Sequence, residues 1–127
     1  MTGGGDEAVV RRWLAAVGRD PRALRLATPD LRIVQPDGRS ARGRMRCTLM
    51  ALRVGVRSRG TLRMEPLSVE PLAPGRVRAR TRNTARAGAR RLDIEMTLDF
   101  ELRDGRIAAM TESVGAGHMD AWRAFWR

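Results

Sequence analysis

Residues 92–102 constrain the fold more than any other part of the chain. Apolar and polar side chains alternate there without error, and this period of two predicts a β-strand with one buried face. Asp104-Gly105, a two-residue hairpin signal, follows at once and returns the chain into a last strand over residues 107–114. The apolar set is Leu92, Ile94, Met96, Leu98, Phe100 and Leu102; the polar set is Asp93, Glu95, Thr97, Asp99 and Glu101.

The preceding segment predicts the partner strand. Residues 77–84 alternate in the same way and reach the long strand through a hairpin at residues 87–89. Its arginines therefore stand opposite the acids of the long strand, and we interpret both stripes as cross-strand ion pairs on a solvated face rather than as a catalytic acid cluster. Residues 62–69 predict one more strand, broken or placed at an edge by Pro66 and Pro71. The arginines concerned are Arg78, Arg80 and Arg82, facing Asp93, Glu95 and Asp99.

The first half of the chain predicts helices. Asp6 is a suitable cap for an amphipathic helix that Gly18 ends, and Asp20-Pro21 opens a second short helix that Pro29 stops. Short strands follow over residues 31–35 and 39–43. A third helix spans residues 44–56, and the C-terminal residues 120–126 form either a short helix or a docked tail. The apolar stripe of the third helix is Met45, Leu49, Leu52 and Val56.

These elements predict an α+β fold. A curved antiparallel sheet of four long strands plus short strands is wrapped by three N-terminal helices around an apolar pocket. Residues 1–5 are expected to be a flexible tail and residues 6–127 a single domain. The expected pocket residues are Trp13, Met45, Leu49, Leu52, Met96, Leu98, Phe100 and Met110.

The basic residues raise the question of an anionic partner. All 25 are arginine, and the formal net charge is +11. Arginine binds phosphates well, but the absence of lysine fits codon bias in a GC-rich genome, and two Phe, three Trp and no Tyr are too few for a base-stacking surface. Nucleic-acid binding is therefore a third hypothesis only. A single cysteine, Cys47, no apolar run of membrane length and no signal sequence predict a cytoplasmic protein without membrane contact.

Few residues are candidates for catalysis or for metal binding. His118 and Cys47 give no metal-ligand cluster, and no phosphate-binding loop is present, so we expect neither a metal nor a cofactor. Glu112 shares its strand face with Met110 and Val114, where burial would raise the pKa of the carboxyl toward the range useful for proton transfer; the alternative is a solvent-facing strand end. His118 is the only histidine, the residue type most often used as a general acid or base, and it is either catalytic or a surface histidine.

The order of elements resembles the nuclear transport factor 2-like superfamily of cone-shaped, cystatin-like folds. This superfamily includes SnoaL-type polyketide cyclases, ketosteroid isomerases and limonene-type epoxide hydrolases. Residues 100–107, Phe-Glu-Leu-Arg-Asp-Gly-Arg-Ile, are similar to its hairpin before the final strand. The resemblance implies a pocket acid about five residues after Ile107, which is Glu112. The isomerases' tyrosine has no counterpart in this chain, and neither does the aspartate of the hydrolases' Arg-x-Asp pattern.

Besides nucleic-acid binding, two classes of function remain open. The resemblance implies a binder of an apolar, possibly polycyclic, small molecule, or a cofactor-independent cyclase, isomerase or hydrolase. In the enzyme, Glu112 would transfer the proton, and Asn83 or an inward arginine would stabilise negative charge. The alternative is a non-catalytic homodimeric interaction module with exposed Trp122, Phe125 and Trp126 as anchors. A homodimer is expected in either case.

Overall fold

The computed structural model describes residues 2–17 and 19–126, so the predicted helix end at Gly18 lies outside the described residues. Helix α1 begins at Thr2, ahead of the predicted cap Asp6, and includes most of the predicted tail. The α-helices are α1 (Thr2–Ala16), α2 (Arg44–Arg57) and α3 (Met119–Trp126), and two 3₁₀ helices span Pro21–Leu26 and Ala116–His118. The strands are β1 (Ala27–Val34), β2 (Ser40–Arg42), β3 (Arg63–Ala73), β4 (Arg76–Ala87), β5 (Arg90–Arg103) and β6 (Arg106–Val114).

The strands of the described residues form one mixed sheet in the order β2-β1-β6-β5-β4-β3. The four long strands run antiparallel to one another as a meander, as predicted, and β2 pairs back on β1. The expectation of a wholly antiparallel sheet is wrong at one place, because β1 runs parallel to β6 with Ile33 opposite Met110. This pairing brings the turn after β1 beside the middle of β6.

The alternation of β5 gives the strand one buried face and one outward face, as predicted. Leu98 and Phe100 are buried in the core, and the polar stripe faces outward beside the arginines of β4. The expected ion pairs are confirmed: Arg78 Nε lies 2.7 Å from Asp99 Oδ1, Arg82 Nη2 lies 2.8 Å from Asp93 Oδ2, and Arg80 pairs with Glu95. Because these groups remain about half exposed, each pair contributes at most about 1 kcal/mol.

The expectation of three N-terminal helices is wrong, because one of the helices that cover the sheet is C-terminal. The second predicted helix is the 3₁₀ segment Pro21–Leu26, capped by Asp20, whose carboxylate accepts a hydrogen bond from the Arg22 amide at 2.9 Å. The third enclosing helix is the C-terminal α3. Arg90 holds α3 on the sheet, since its guanidinium lies 5.1 Å from the centre of the Phe125 ring and donates to the Phe125 carbonyl oxygen at 2.5 Å.

Helix α2 presents the opposite face from the one predicted. Met45, Leu49, Leu52 and Val56 are exposed, Met45 by 79%, whereas Cys47 is fully buried and Met50 and Val54 pack against the core. Both faces of α2 carry apolar residues, and the side turned toward the sheet carries the small residues Cys47, Ala51 and Gly55. Small side chains let the helix axis lie close to the curved sheet, so the larger stripe is left outside.

Strand β3 is an edge of the sheet, as its prolines predicted. It nevertheless continues through Pro66 and Pro71 to Ala73. The pairing with β4 shifts register between Pro66 and Ser68 and again between Pro71 and Ala73. Each proline therefore coincides with an irregularity of the strand, which is where a residue without an amide donor is tolerated.

Among the helices of the described chain, none combines the length and the apolar character that crossing a membrane requires.

Candidate functional site

The inward face of the sheet, α2 and α3 line a small apolar cavity of about 70 Å³ that is partly open to solvent. Strands β1, β3, β4, β5 and β6 provide its sheet wall, and the two helices cover it. Its polar side chains are Gln35, Asn83 and Glu112. Its apolar lining is Val17, Ile33, Met50, Ala51, Val54, Leu62, Met64, Met96, Met110, Trp122 and Trp126.

Glu112 lies in the wall of this cavity, which resolves the two orientations that the sequence left open. It stands on β6 opposite Leu98 of β5, on the same inward face as Met110. Burial among apolar side chains raises the pKa of the Glu112 carboxyl to about 7, and the negative charge of Asp37 adds to the rise. A carboxyl group with a pKa near neutrality can accept and return a proton under physiological conditions.

Asn83 is the second polar group of the wall and is almost fully buried. Its Oδ1 accepts a hydrogen bond from the Thr81 hydroxyl at 2.6 Å, and its Nδ2 lies 2.8 Å from Met96 Sδ as a donor. Because an amide nitrogen carries two protons and thioether sulfur is a weak acceptor, donor capacity remains on Nδ2 for a ligand oxygen. These contacts fix the side chain with its amide group toward the cavity.

Asn83 and Glu112 are not adjacent. They stand on β4 and β6, with β5 between them, and they pair with Ile94 and Leu98, four residues apart along β5. At about 3.4 Å per residue this offset is about 14 Å along the sheet. The two groups would therefore contact different atoms of one ligand rather than the same atom.

A second, larger chamber of about 340 Å³ adjoins the inner cavity. The two spaces share Gln35, Met50, Val54, Trp122 and Trp126 in their linings. The outer chamber additionally contains the following polar residues from the β1–β2 turn, β2, α2 and α3: Asp37, Arg39, Ser40, Arg53, Arg57 and Arg123.

The volumes limit what the site can hold. An apolar protein cavity of about 150 Å³ accommodates benzene. The inner cavity, at about 70 Å³, is too small for one such ring, and the expected polycyclic ligand does not fit within it. A ligand larger than a few atoms would have to extend into the outer chamber, with the shared side chains shifting around it.

A third space of about 280 Å³ lies on the other side of α2. Trp13 and Leu52, two of the expected pocket residues, line this space instead of the cavity at Glu112. The indole nitrogen of Trp13 is buried there without a hydrogen-bond partner among the described residues.

Of the remaining expected pocket residues, Met96 and Met110 line the inner cavity and Leu49 lines the outer chamber. Leu98 and Phe100 are buried in the core and contact none of the three spaces, and Met45 is exposed to solvent. His118 is exposed on the 3₁₀ segment after β6, outside the wall that contains Glu112 and Asn83. The structure therefore brings Glu112 and Asn83 into one cavity and leaves His118 apart.

Several site residues were missed from the sequence. Gln35 and Asp37 occupy the turn after β1, and only the parallel pairing of β1 with β6 brings this turn beside Glu112. The interaction-module alternative needed Trp122, Phe125 and Trp126 to be exposed, but Trp122 and Phe125 are buried and Trp126 is partly buried. The other expectation, a C-terminal segment docked through these side chains, is the one that the burial fits. The spacing of Trp122, Phe125 and Trp126 is itself the signal of an amphipathic helix with one inward face.

No three His, Cys, Asp or Glu side chains within residues 2–17 and 19–126 are grouped as a metal site requires.

Comparison with solved structures shows that the chain has the nuclear transport factor 2-like, SnoaL-like cone fold. It is similar to Bal32a from a soil-derived mobile gene cassette, with a TM-score of 0.90 and 27% identity over 100% of both chains. A protein described provisionally as a SnoaL-like polyketide cyclase from Jannaschia sp. CCS1 has a TM-score of 0.73 and 16% identity, over 87% of this chain and 85% of that one. An LEH-like epoxide hydrolase from M. tuberculosis has a TM-score of 0.76 and 18% identity, over 93% of this chain and 88% of that one. No family model matches the sequence, and no curated protein matches it.

Proposed function

We propose that this chain binds an apolar small molecule and uses Glu112 as a proton-transfer group on it. The observation that carries the proposal is the position of Glu112 in an apolar cavity, where burial raises the pKa of its carboxyl to about 7. The reaction would be an isomerisation, a cyclisation or an epoxide opening. Structural neighbours described as a polyketide cyclase and an epoxide hydrolase support this range of chemistry without selecting one reaction.

The residues have separate roles in this proposal. Glu112 removes a proton from the ligand, or delivers one to it, at the inner end of the cavity. Asn83 Nδ2 donates a hydrogen bond to a ligand oxygen and stabilises negative charge that develops there. The apolar wall reduces the hydration of the ionised carboxylate, which makes it a stronger base than a fully solvated one. His118 has no role, because it lies outside this wall.

The test uses a substrate that reports base strength directly. Nitrobenzisoxazole has two fused rings, so it must extend from the inner cavity into the outer chamber. Its ring opens when a base removes the C–H proton and the N–O bond breaks, which converts it into a coloured cyanophenolate. We expect a rate that rises with pH, with a midpoint of about 7, and that is lost in Glu112→Gln. Glu101→Gln, which removes an equal charge from the exposed face of β5, is the matched control and should retain the rate. Equal rates in Glu112→Gln and the parent chain would exclude Glu112 as the base.

The interaction module is less well supported as a second function. Its proposed anchors were to be exposed, but Trp122 and Phe125 are only 6% and 2% exposed. Removal of α3 would therefore open the cavity as well as remove a contact surface. A homodimer stays a prediction, and sedimentation of the intact chain would test it.

A further inference from the structure

The outer chamber is strongly basic, although the inner cavity is apolar. Four arginines and one aspartate line it: Arg39, Arg53, Arg57 and Arg123, with Asp37. Asp37 is engaged by Arg39, whose Nε lies 3.3 Å from Asp37 Oδ2. Among the described residues, the other three guanidinium groups have no carboxylate within ion-pair distance. The chamber thus has an excess of positive charge beside the apolar cavity.

The fold places these arginines on two helices that face the same space. Arg53 and Arg57 are one helical turn apart on α2, so their side chains lie on the same face of that helix, and Arg123 approaches from α3. Arg57 is partly buried, and its Nε is a buried donor without a hydrogen-bond partner. A buried donor left unpaired is costly, and this cost falls when the Arg57 side chain shifts to donate to a ligand oxygen in the chamber.

The rest of the chamber is suited to an apolar group. Met50, Val54, Trp122 and Trp126 separate the chamber from the inner cavity and line both spaces. The inner cavity alone holds only a few atoms, as its volume shows. A ligand that fills it and continues past the tryptophans has its other end among the arginines.

The geometry points to an amphipathic anion as the ligand. Its apolar end occupies the cavity at Glu112, and its carboxylate or phosphate group is bound by Arg53, Arg57 and Arg123 in the outer chamber. Guanidinium groups bind either anion through paired hydrogen bonds, so the three arginines of the outer chamber suit such a ligand. This inference rests on the proposed function, since it assigns the substrate class of the same site.

The experiment compares ligands that differ only in the head group. Octanoate, octyl phosphate and neutral octanamide are titrated into the intact chain at slightly alkaline pH and moderate salt, by isothermal titration calorimetry. We expect at least one of the two anions to bind tenfold or more tightly than octanamide. The stronger of the two identifies the anion class. Octanamide binding as tightly as both anions would overturn the inference, and no saturable binding of any of the three would overturn it together with the proposed pocket.

Variants separate this site from the general positive charge of the chain. Arg53→Gln, at an exposed position, and the double variant Arg53→Gln/Arg57→Gln should reduce and then abolish the preference for the anion. Arg91→Gln removes an equal charge from an exposed position outside the chamber and should change the affinity less than twofold. Equal losses in Arg53→Gln and Arg91→Gln would mean that the anion binds the charged surface at large.

The two proposals can fail separately. Glu112→Gln should keep the preference for the anion, because the arginines are unchanged, while it loses proton transfer. A chain that prefers octanoate but transfers protons equally well with and without Glu112 would refute the catalytic proposal alone. A chain with Glu112-dependent proton transfer and no preference for anions would refute this inference alone.

Discussion

Replacement of Glu112 by glutamine should stabilise the folded chain at alkaline pH and leave its stability almost unchanged at acid pH. Glutamine has the shape of the protonated carboxyl but cannot ionise. In the folded chain, burial raises the pKa of Glu112 from its usual 4.5 to about 7. Below pH 4.5 the carboxyl is protonated in both the folded and unfolded states, and the variant gains nothing.

The sign follows from proton binding. Between pH 4.5 and about 7 the unfolded chain releases this proton while the folded chain retains it, so stability falls as the pH rises. Each pKa unit corresponds to about 1.4 kcal/mol, and the full destabilisation above pH 7 is therefore about 3 kcal/mol. This is a large part of the 5–15 kcal/mol that roughly spans the stability of most domains. The Glu112→Gln variant should recover most of this loss in the free energy of unfolding.

Urea denaturation followed by tryptophan fluorescence measures the effect. With a urea dependence of about 1–3 kcal/mol per molar, the unfolding midpoint of Glu112→Gln should exceed that of the parent by about 1–3 M at pH 8.5 and by almost nothing at pH 4. Glu101→Gln should change the free energy of unfolding by less than about 0.5 kcal/mol at both pH values, since Glu101 is exposed. A Glu112→Gln effect of the same size at both pH values would refute the reasoning.

Two further predictions concern close contacts within the fold. Asn83→Ala should destabilise the fold by about 2 kcal/mol in urea, because the buried Thr81 hydroxyl loses its acceptor. In the double variant with Thr81→Val the two losses should not add, whereas strict additivity would contradict the hydrogen bond. Gly75→Ala should cost more than Gly105→Ala by at least about 1 kcal/mol. Both glycines have φ +75°, but a Cβ at Gly75 would lie 2.9 Å from the Leu102 carbonyl oxygen, whereas one at Gly105 meets nothing within 4 Å. Equal thermal midpoints for these two variants would show that the contact relaxes without cost.

The sheet was predictable from the sequence because its signals are local. The alternation over residues 92–102 fixes which side chains of β5 are inside, and the Asp104-Gly105 hairpin fixes the start of β6. The register shift beside Leu102 then places both Ile107 and Met110 inside, so the inward face around Glu112 did not follow from alternation alone. The arginines of β4 could be matched to the acids of β5 for the same reason. Glu112 could be selected as the candidate acid, although its orientation and environment were decided only by the structure.

The helical side was less predictable because its arrangement depends on contacts between distant residues. Helix α2 has apolar residues on both faces, and the sequence pattern favoured the stripe with larger side chains, which is the exposed one. The closure of the cavity by α3 and the parallel pairing of β1 with β6 join segments about 80 residues apart, for which local periodicity contains no information. The arginine chamber was missed for this reason, since it combines α2, α3 and the β1–β2 turn.

The irregular edge strand β3 affects how copies of this chain can associate at high protein concentration. An open sheet edge can recruit a strand from a second molecule and grow into an ordered aggregate. Pro66 and Pro71 remove two amide donors from this edge, and the register shifts beside them interrupt its regular row of backbone groups. At the opposite edge, β2 is only three residues long. Neither end of the sheet offers a long regular template, so copies of this chain that associate would meet through side chains rather than by extending one another's sheets.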